Sequence, residues 1–208
     1  MDVRVLSAVH DPERSGVSAS WRRSEDVSDG SERAPRPIAV GPEMADLARF
    51  FFDTIWMGTV VEGGMGPGTP AMAARGSGQH RTIQDGRWIV GDYEQDQFAS
   101  DGNFLLKWEL HWVTGWDPAA GEYRATLADN YGHADVMRGH VEGDRLIFET
   151  IADAAARLRL VWDLTDPDDA TWRNEMSIAG GPWSLIEEYH LTPVPEQYEI
   201  RSDAQPSP

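Results

Sequence analysis

The chain has 208 residues, a net charge of −17 and no cysteine. Its one lysine, Lys107, stands among 18 basic residues against 35 acidic ones, which excludes clustered-cation binding to nucleic acid or to anionic membranes. The missing thiols exclude disulfides, thiolate nucleophiles and cysteine-ligated metal centres.

Residues 1–40 are rich in Ser, Arg, Asp and Glu without a sustained period, and are expected to be a disordered leader. Met44 is a second candidate for the functional start. No apolar run nears the roughly 20 residues of a membrane span, and no apolar signal segment opens the chain, so the expectation is a cytoplasmic protein. Gly41-Pro42-Glu43 opens a short helix, with Pro and Glu placed to suit its first turn. Leu47, Phe50 and Phe51 then face the core and form a lid or plug against one end of the domain.

From residue 54 the pattern is β. Strands are expected over 55–62, 73–83 and 88–98, the last two joined at Asp85-Gly86, a strong hairpin signal. The intervening Gly-rich loop, GGMGPG at 63–68, lacks the lysine and following helix of a phosphate cradle. Next comes the most informative stretch, 105–131. Leu106, Trp108, Leu110, Trp112 and Trp116 alternate with polar residues and define a half-buried strand. Pro118 to Gly121 make the turn, and Tyr123, Ala125, Leu127, Asp129 and Tyr131 continue on the other side. The apolar faces coincide only if Trp116 faces Tyr123, Trp112 faces Leu127 and Leu110 faces Asp129. Asp129 thereby lands on an apolar face, where a carboxylate must find partners or titrate high.

Two further strands, 133–141 and 146–151, pair Gly139 and Val141 with Leu146 and Phe148. Leu158, Leu160, Trp162 and Leu164 mark another strand, with Arg157 and Arg159 on its other face. A final hairpin, 171–179 with 182–192, sets Trp172, Met176 and Ile178 on one face with Trp183, Leu185, Tyr189 and Leu191, and places Asn174 opposite Glu187. Residues 195–208 are expected to be a mobile tail. About ten sequential strands with tight turns and no helical crossovers predict an all-β domain over 41–194. Its form is a single antiparallel up-and-down β-barrel that closes to remove its edges.

The segment 58–194 resembles the bacterial domain-of-unknown-function 1579 family. The matching features are Trp56-Met57-Gly58 after a short helix, Asp85-Gly86-Arg87-Trp88-Ile89-Val90, the Gly115-Trp116-Asp117…Gly121-Glu122-Tyr123 turn, Asp129, and Gly139-His140-Val141-Glu142-Gly143. The long leader and the Gly-rich loop depart from the family's pattern. The resemblance implies a calycin-like barrel, the architecture of lipocalins, fatty-acid-binding proteins and nitrobindins. It carries over no catalytic residues.

Barrels of eight to ten strands leave room for one small ligand. Asp129 or Glu187 is the candidate general acid or base, with His133 as a proton shuttle at the barrel mouth; the alternative is that these groups and Asn174 form a structural hydrogen-bond network. Asn174, Tyr123, Tyr131 and Tyr189 are candidates to orient a substrate, and Trp108, Trp112, Trp172 and Met176 to wall the pocket. Trp108, Trp112, Trp116, Trp162, Trp172 and Trp183 are all assigned to the core, with an aromatic cavity wall for a flat, hydrophobic ligand as the alternative. His111 and His190 are expected to point outward, and no histidine spacing suggests a metal site. The expectation is therefore a barrel for a small hydrophobic or aromatic molecule, monomeric or homodimeric, without cofactor or metal. Cofactor-free cyclase, isomerase or dehydratase chemistry is one use of it; a non-catalytic carrier or sensor is another, and haem binding a third.

Overall fold

The computed structural model describes residues 39–151 and 155–194. Residues 1–38 of the expected leader and all of the expected tail lie outside them. The short helix α1 (Glu43–Ala48) precedes ten strands: β1 (Thr54–Val60), β2 (Met72–Ile83), β3 (Trp88–Phe98), β4 (Phe104–Asp117), β5 (Glu122–Asp129), β6 (Ala134–Glu142), β7 (Arg145–Thr150), β8 (Ala156–Asp163), β9 (Thr171–Ile178) and β10 (Ser184–Pro193). Each pairs antiparallel with its sequence neighbours, and β1 pairs with β10, so the sheet closes into an up-and-down barrel. Closure leaves no edge strand to pair with another chain.

The register of the central hairpin is the one the apolar faces require. Trp116 pairs with Tyr123, Trp112 with Leu127 and Leu110 with Asp129. Gly139 pairs with Phe148 and Val141 with Leu146. The last hairpin departs from simple alternation. A bulge between Leu185 and Glu187 inserts Ile186, so Ser184 pairs with Met176 while Glu187 pairs with Asn174. An extra residue reverses the facing of everything beyond it. Trp183 therefore leaves the core to which its phase assigned it and lies on the outer wall, with the Arg159 guanidinium 4.1 Å from its ring centre. Leu185 and Ile178 are likewise exposed.

One barrel end is plugged. Leu47, Phe50 and Phe51 of α1 and the turn after it are buried. The Phe51 ring lies 5.6 Å from Trp162 and 6.4 Å from Trp112. The Tyr123 hydroxyl donates to the Glu43 carbonyl at 2.9 Å, and Arg49 pairs with Asp144 at 2.6 Å, which fastens the plug to the rim. From the plug an aromatic column runs inward: Trp162 stacks on Trp172 at 5.6 Å, and Trp172 meets the edge of Trp56 at 5.5 Å and Tyr189 at 5.1 Å. Gly58 and Gly76 make room for it. A Cβ on Gly58 would fall 2.7 Å from the Tyr189 ring, and one on Gly76 would overlap the Trp56 ring. Rings fill the plugged half, and the opposite half holds a cavity.

Candidate functional site

The cavity has a volume of about 340 Å³ and opens at the end away from α1. That size is within the range of small-molecule sites, roughly 300–1,000 Å³. Its wall is mostly apolar, with Trp108, Leu110, Leu158, Leu160, Met176 and Ile186 among the lining residues. Asp129, His133, Glu187, Asn174 and Trp172 also line it. β5 and β10 are five strands apart in either direction around the ring, so Asp129 and Glu187 face each other across the chamber.

The two carboxyls differ in kind. Asp129 ends β5 and closes the turn after it. Its Oδ1 accepts the backbone N–H groups of Tyr131 at 2.9 Å and His133 at 2.8 Å. Its Oδ2 is 2.9 Å from His133 Nδ1 and accepts Trp108 Nε1–H at 3.3 Å. Burial pushes this carboxyl upward, but the His133 and Trp108 hydrogen bonds outweigh burial and hold it below its ordinary value. Of the two outcomes expected for a carboxylate on this face, Asp129 takes the first: it finds partners, its lone pairs are occupied by a turn, and it is held low rather than titrating high.

Glu187 is the opposite case. Burial pushes its carboxyl upward, and hydrogen bonds from Tyr189 and Asn174 offset only part of that. No cation contributes. A chain of donors points at it: Trp56 Nε1–H donates to Gln95 Oε1 at 2.9 Å, Gln95 Nε2–H donates to the Tyr189 hydroxyl at 3.0 Å, and that hydroxyl donates to Glu187 Oε2. Asn174 Nδ2–H donates to Glu187 Oε1. The bulge at Ile186 lets both Ile186 and Glu187 face the chamber.

Four residues expected around the ligand stand elsewhere. Trp112, 1% exposed, packs against Phe148 and Trp162 in the plugged half. Tyr123 is held by α1. Tyr131 lies in the turn after β5, 52% exposed, because the strand ends at Asp129 and alternation stops there; its hydroxyl donates to the Lys107 carbonyl. Tyr189 stands behind the wall and reaches the chamber through Glu187. His111 and His190 are exposed and paired with Asp92 and Asp169, each at 2.6 Å.

Gln95, Gln97 and Asp135 line the chamber and escaped the sequence reading. Tyr93, Gln95 and Gln97 alternate with Asp92, Glu94 and Asp96, which was the available signal. Both sets are polar, so alternation alone does not say which faces in. Burial also pushes the Asp135 carboxyl upward, against the opposing charge of His133. No group of three or more potential metal ligands is assembled among the described residues. His133 is the one histidine among the lining residues, and its Nδ1 is occupied by Asp129. No helix among the described residues is long and apolar enough to cross a membrane.

Comparison with curated proteins finds no match. Among solved structures, the crystal structure of Rv2717c from M. tuberculosis is similar, with 16% sequence identity and a TM-score of 0.50 over 76% of this chain and 100% of that one. At that identity the likeness concerns the fold alone. A family model described as "Protein of unknown function (DUF1579)" matches residues 54–192, from the first residue of β1 to the penultimate residue of β10, and the chain belongs to that family.

Proposed function

We propose that the chamber binds a small hydrophobic or aromatic molecule and that Glu187 exchanges a proton with it, in a cofactor-independent reaction of the cyclase, isomerase or dehydratase type. The observation that carries this reading is a half-buried carboxyl on a cavity wall, supplied with hydrogen-bond donors but with no cation. Such a group titrates closer to neutrality than an ordinary carboxylate, which suits general acid or base work. Asp129, fixed as an anion, holds His133 at the mouth, where the imidazole is placed to pass protons to solvent. The second reading is a non-catalytic carrier. It is favoured by the completeness of the Trp56–Gln95–Tyr189–Glu187 chain, which satisfies the carboxyl without a substrate.

Native mass spectrometry of wild type and Glu187→Gln, both purified from the protein's own host, separates the two. Catalysis predicts different bound molecules, judged by mass and fragmentation, because the variant retains what it cannot convert. The same molecule in both chains establishes the carrier.

The carboxyl itself has a pH signature. A raised folded-state value means that the folded chain keeps its proton after the unfolded chain has lost it. Wild type therefore loses stability relative to Glu187→Gln as pH rises from the ordinary carboxylate range through the folded value. Urea midpoints of the two proteins at pH 5 and pH 8 should show the gap moving in the variant's favour. A constant gap would mean an ordinary carboxylate and remove the basis for proton exchange.

A further inference from the structure

The hydrogen bonds that reach Glu187 run in one direction. An indole N–H can only donate. Trp56 Nε1–H donates to Gln95 Oε1, so the Gln95 amide turns its nitrogen to Tyr189 and donates to the Tyr189 oxygen. The Tyr189 proton then goes to Glu187 Oε2, and Asn174 Nδ2–H donates to Glu187 Oε1. Both carboxyl oxygens are thus met by hydrogens, an arrangement that suits a carboxylate anion rather than a neutral acid.

An anion against an apolar wall needs a counter-charge, and the described residues supply none to Glu187. The two basic side chains that line the chamber are engaged elsewhere, Arg157 with Glu149 at 3.1 Å and His133 with Asp129 at 2.9 Å. Asp135, also in the wall, adds negative charge. A carboxylate ligand would enlarge that surplus, and an alcohol would leave it uncompensated. An ammonium on an apolar body matches both features of the chamber. Its N–H groups have acceptors to meet, because each carboxylate oxygen takes two hydrogen bonds and each Glu187 oxygen receives one from the protein.

We propose that the chamber takes a hydrophobic primary amine, whose ammonium pairs with the Glu187 carboxylate while its apolar body lies against the wall. This rests on the reading of the chamber as a ligand site. It also names the proton that Glu187 exchanges. That proton passes from the ammonium nitrogen to the carboxylate oxygen, and the lone pair of the neutral amine becomes free to attack within the same molecule.

Isothermal titration calorimetry of the full chain at pH 7 tests it, with octylamine, octan-1-ol and octanoate as probes of one chain length. The expected result is that the amine binds at least about tenfold more tightly than the alcohol, and the carboxylate most weakly. Glu187→Gln, which keeps the shape and removes the charge, should weaken the amine about tenfold and leave the alcohol within about twofold. Alcohol or carboxylate binding as tightly as the amine would overturn the amine assignment and leave the ligand chamber standing. No binding by any of the three would overturn both. An amine preference that survives Glu187→Gln would reflect the acidic surface at large, and equal losses for amine and alcohol would reflect a structural role; either overturns the pairing with Glu187.

Discussion

Trp56→Ala is expected to destabilise the barrel by about 3–5 kcal/mol, a large part of the roughly 5–15 kcal/mol typical of a whole domain. Trp56 is 2% exposed and touches Tyr93, Trp172 and Tyr189 at ring separations of 5.5–6.3 Å. Gly76 beneath it has no side chain to fill the space it would vacate. The loss is more than volume. The indole N–H is the first donor in the chain that ends at Glu187, and its removal leaves Gln95 Oε1 unpaired in a buried setting. Trp56→Phe separates the two contributions. It keeps most of the ring packing and forfeits the hydrogen bond, for a cost of about 1–3 kcal/mol. Urea unfolding measures both, as a fall in midpoint at constant slope. Equal midpoints for Trp56→Phe and wild type would show that the hydrogen bond contributes nothing.

Acid is expected to weaken the fold through His80, with about 3 kcal/mol lost as pH falls from about 6.5 to about 4. His80 lies on β2 beside the plug, 5.4 Å from the Phe51 ring, with Nε2 2.7 Å from the Tyr93 hydroxyl. Burial holds its imidazole down to about 4, against the charge of Asp53, a hydrogen bond to the Phe52 backbone and the charge of Asp92. The unfolded chain takes up a proton at His80 before the folded chain does, so stability is complete above about pH 6.5 and declines below it. Asp129, held low, loses its contribution only below the ordinary carboxylate range, and Glu187 acts with the opposite sign above that range. His80→Gln keeps a hydrogen-bonding group beside Tyr93 and cannot titrate. The difference in unfolding free energy between wild type and this variant should change by about 3 kcal/mol between pH 7 and pH 4. A difference independent of pH would place His80 in contact with water.

The barrel was legible in the sequence because its information is local. Turn chemistry at Asp85-Gly86 and Pro118–Gly121, with alternation over 106–116 broken only at Thr114, determines strand, turn and register together. The site was only half legible. Asp129 and Glu187 were found because each breaks an apolar face. Their unlike protonation was not, since it depends on donors from β4 and the β5–β6 turn at one and on a chain through β1 and β3 at the other. Trp183 was misplaced for a different reason. A one-residue bulge has no reliable sequence mark, and beyond it a period of two gives the wrong face. Depth along the barrel was also invisible: Trp108 and Trp112 share a face, yet one walls the chamber and the other packs near the plug.

The plug has a consequence for traffic. With Phe51 and Trp162 stopping one end, a guest of the kind proposed would enter and leave by the other end of the described barrel. A second reactant would have to queue behind the first in about 340 Å³. If the proposed reaction takes place there, such a vessel would favour transformations that a molecule undergoes by itself, such as ring closure, bond migration or loss of water. It disfavours the joining of two partners.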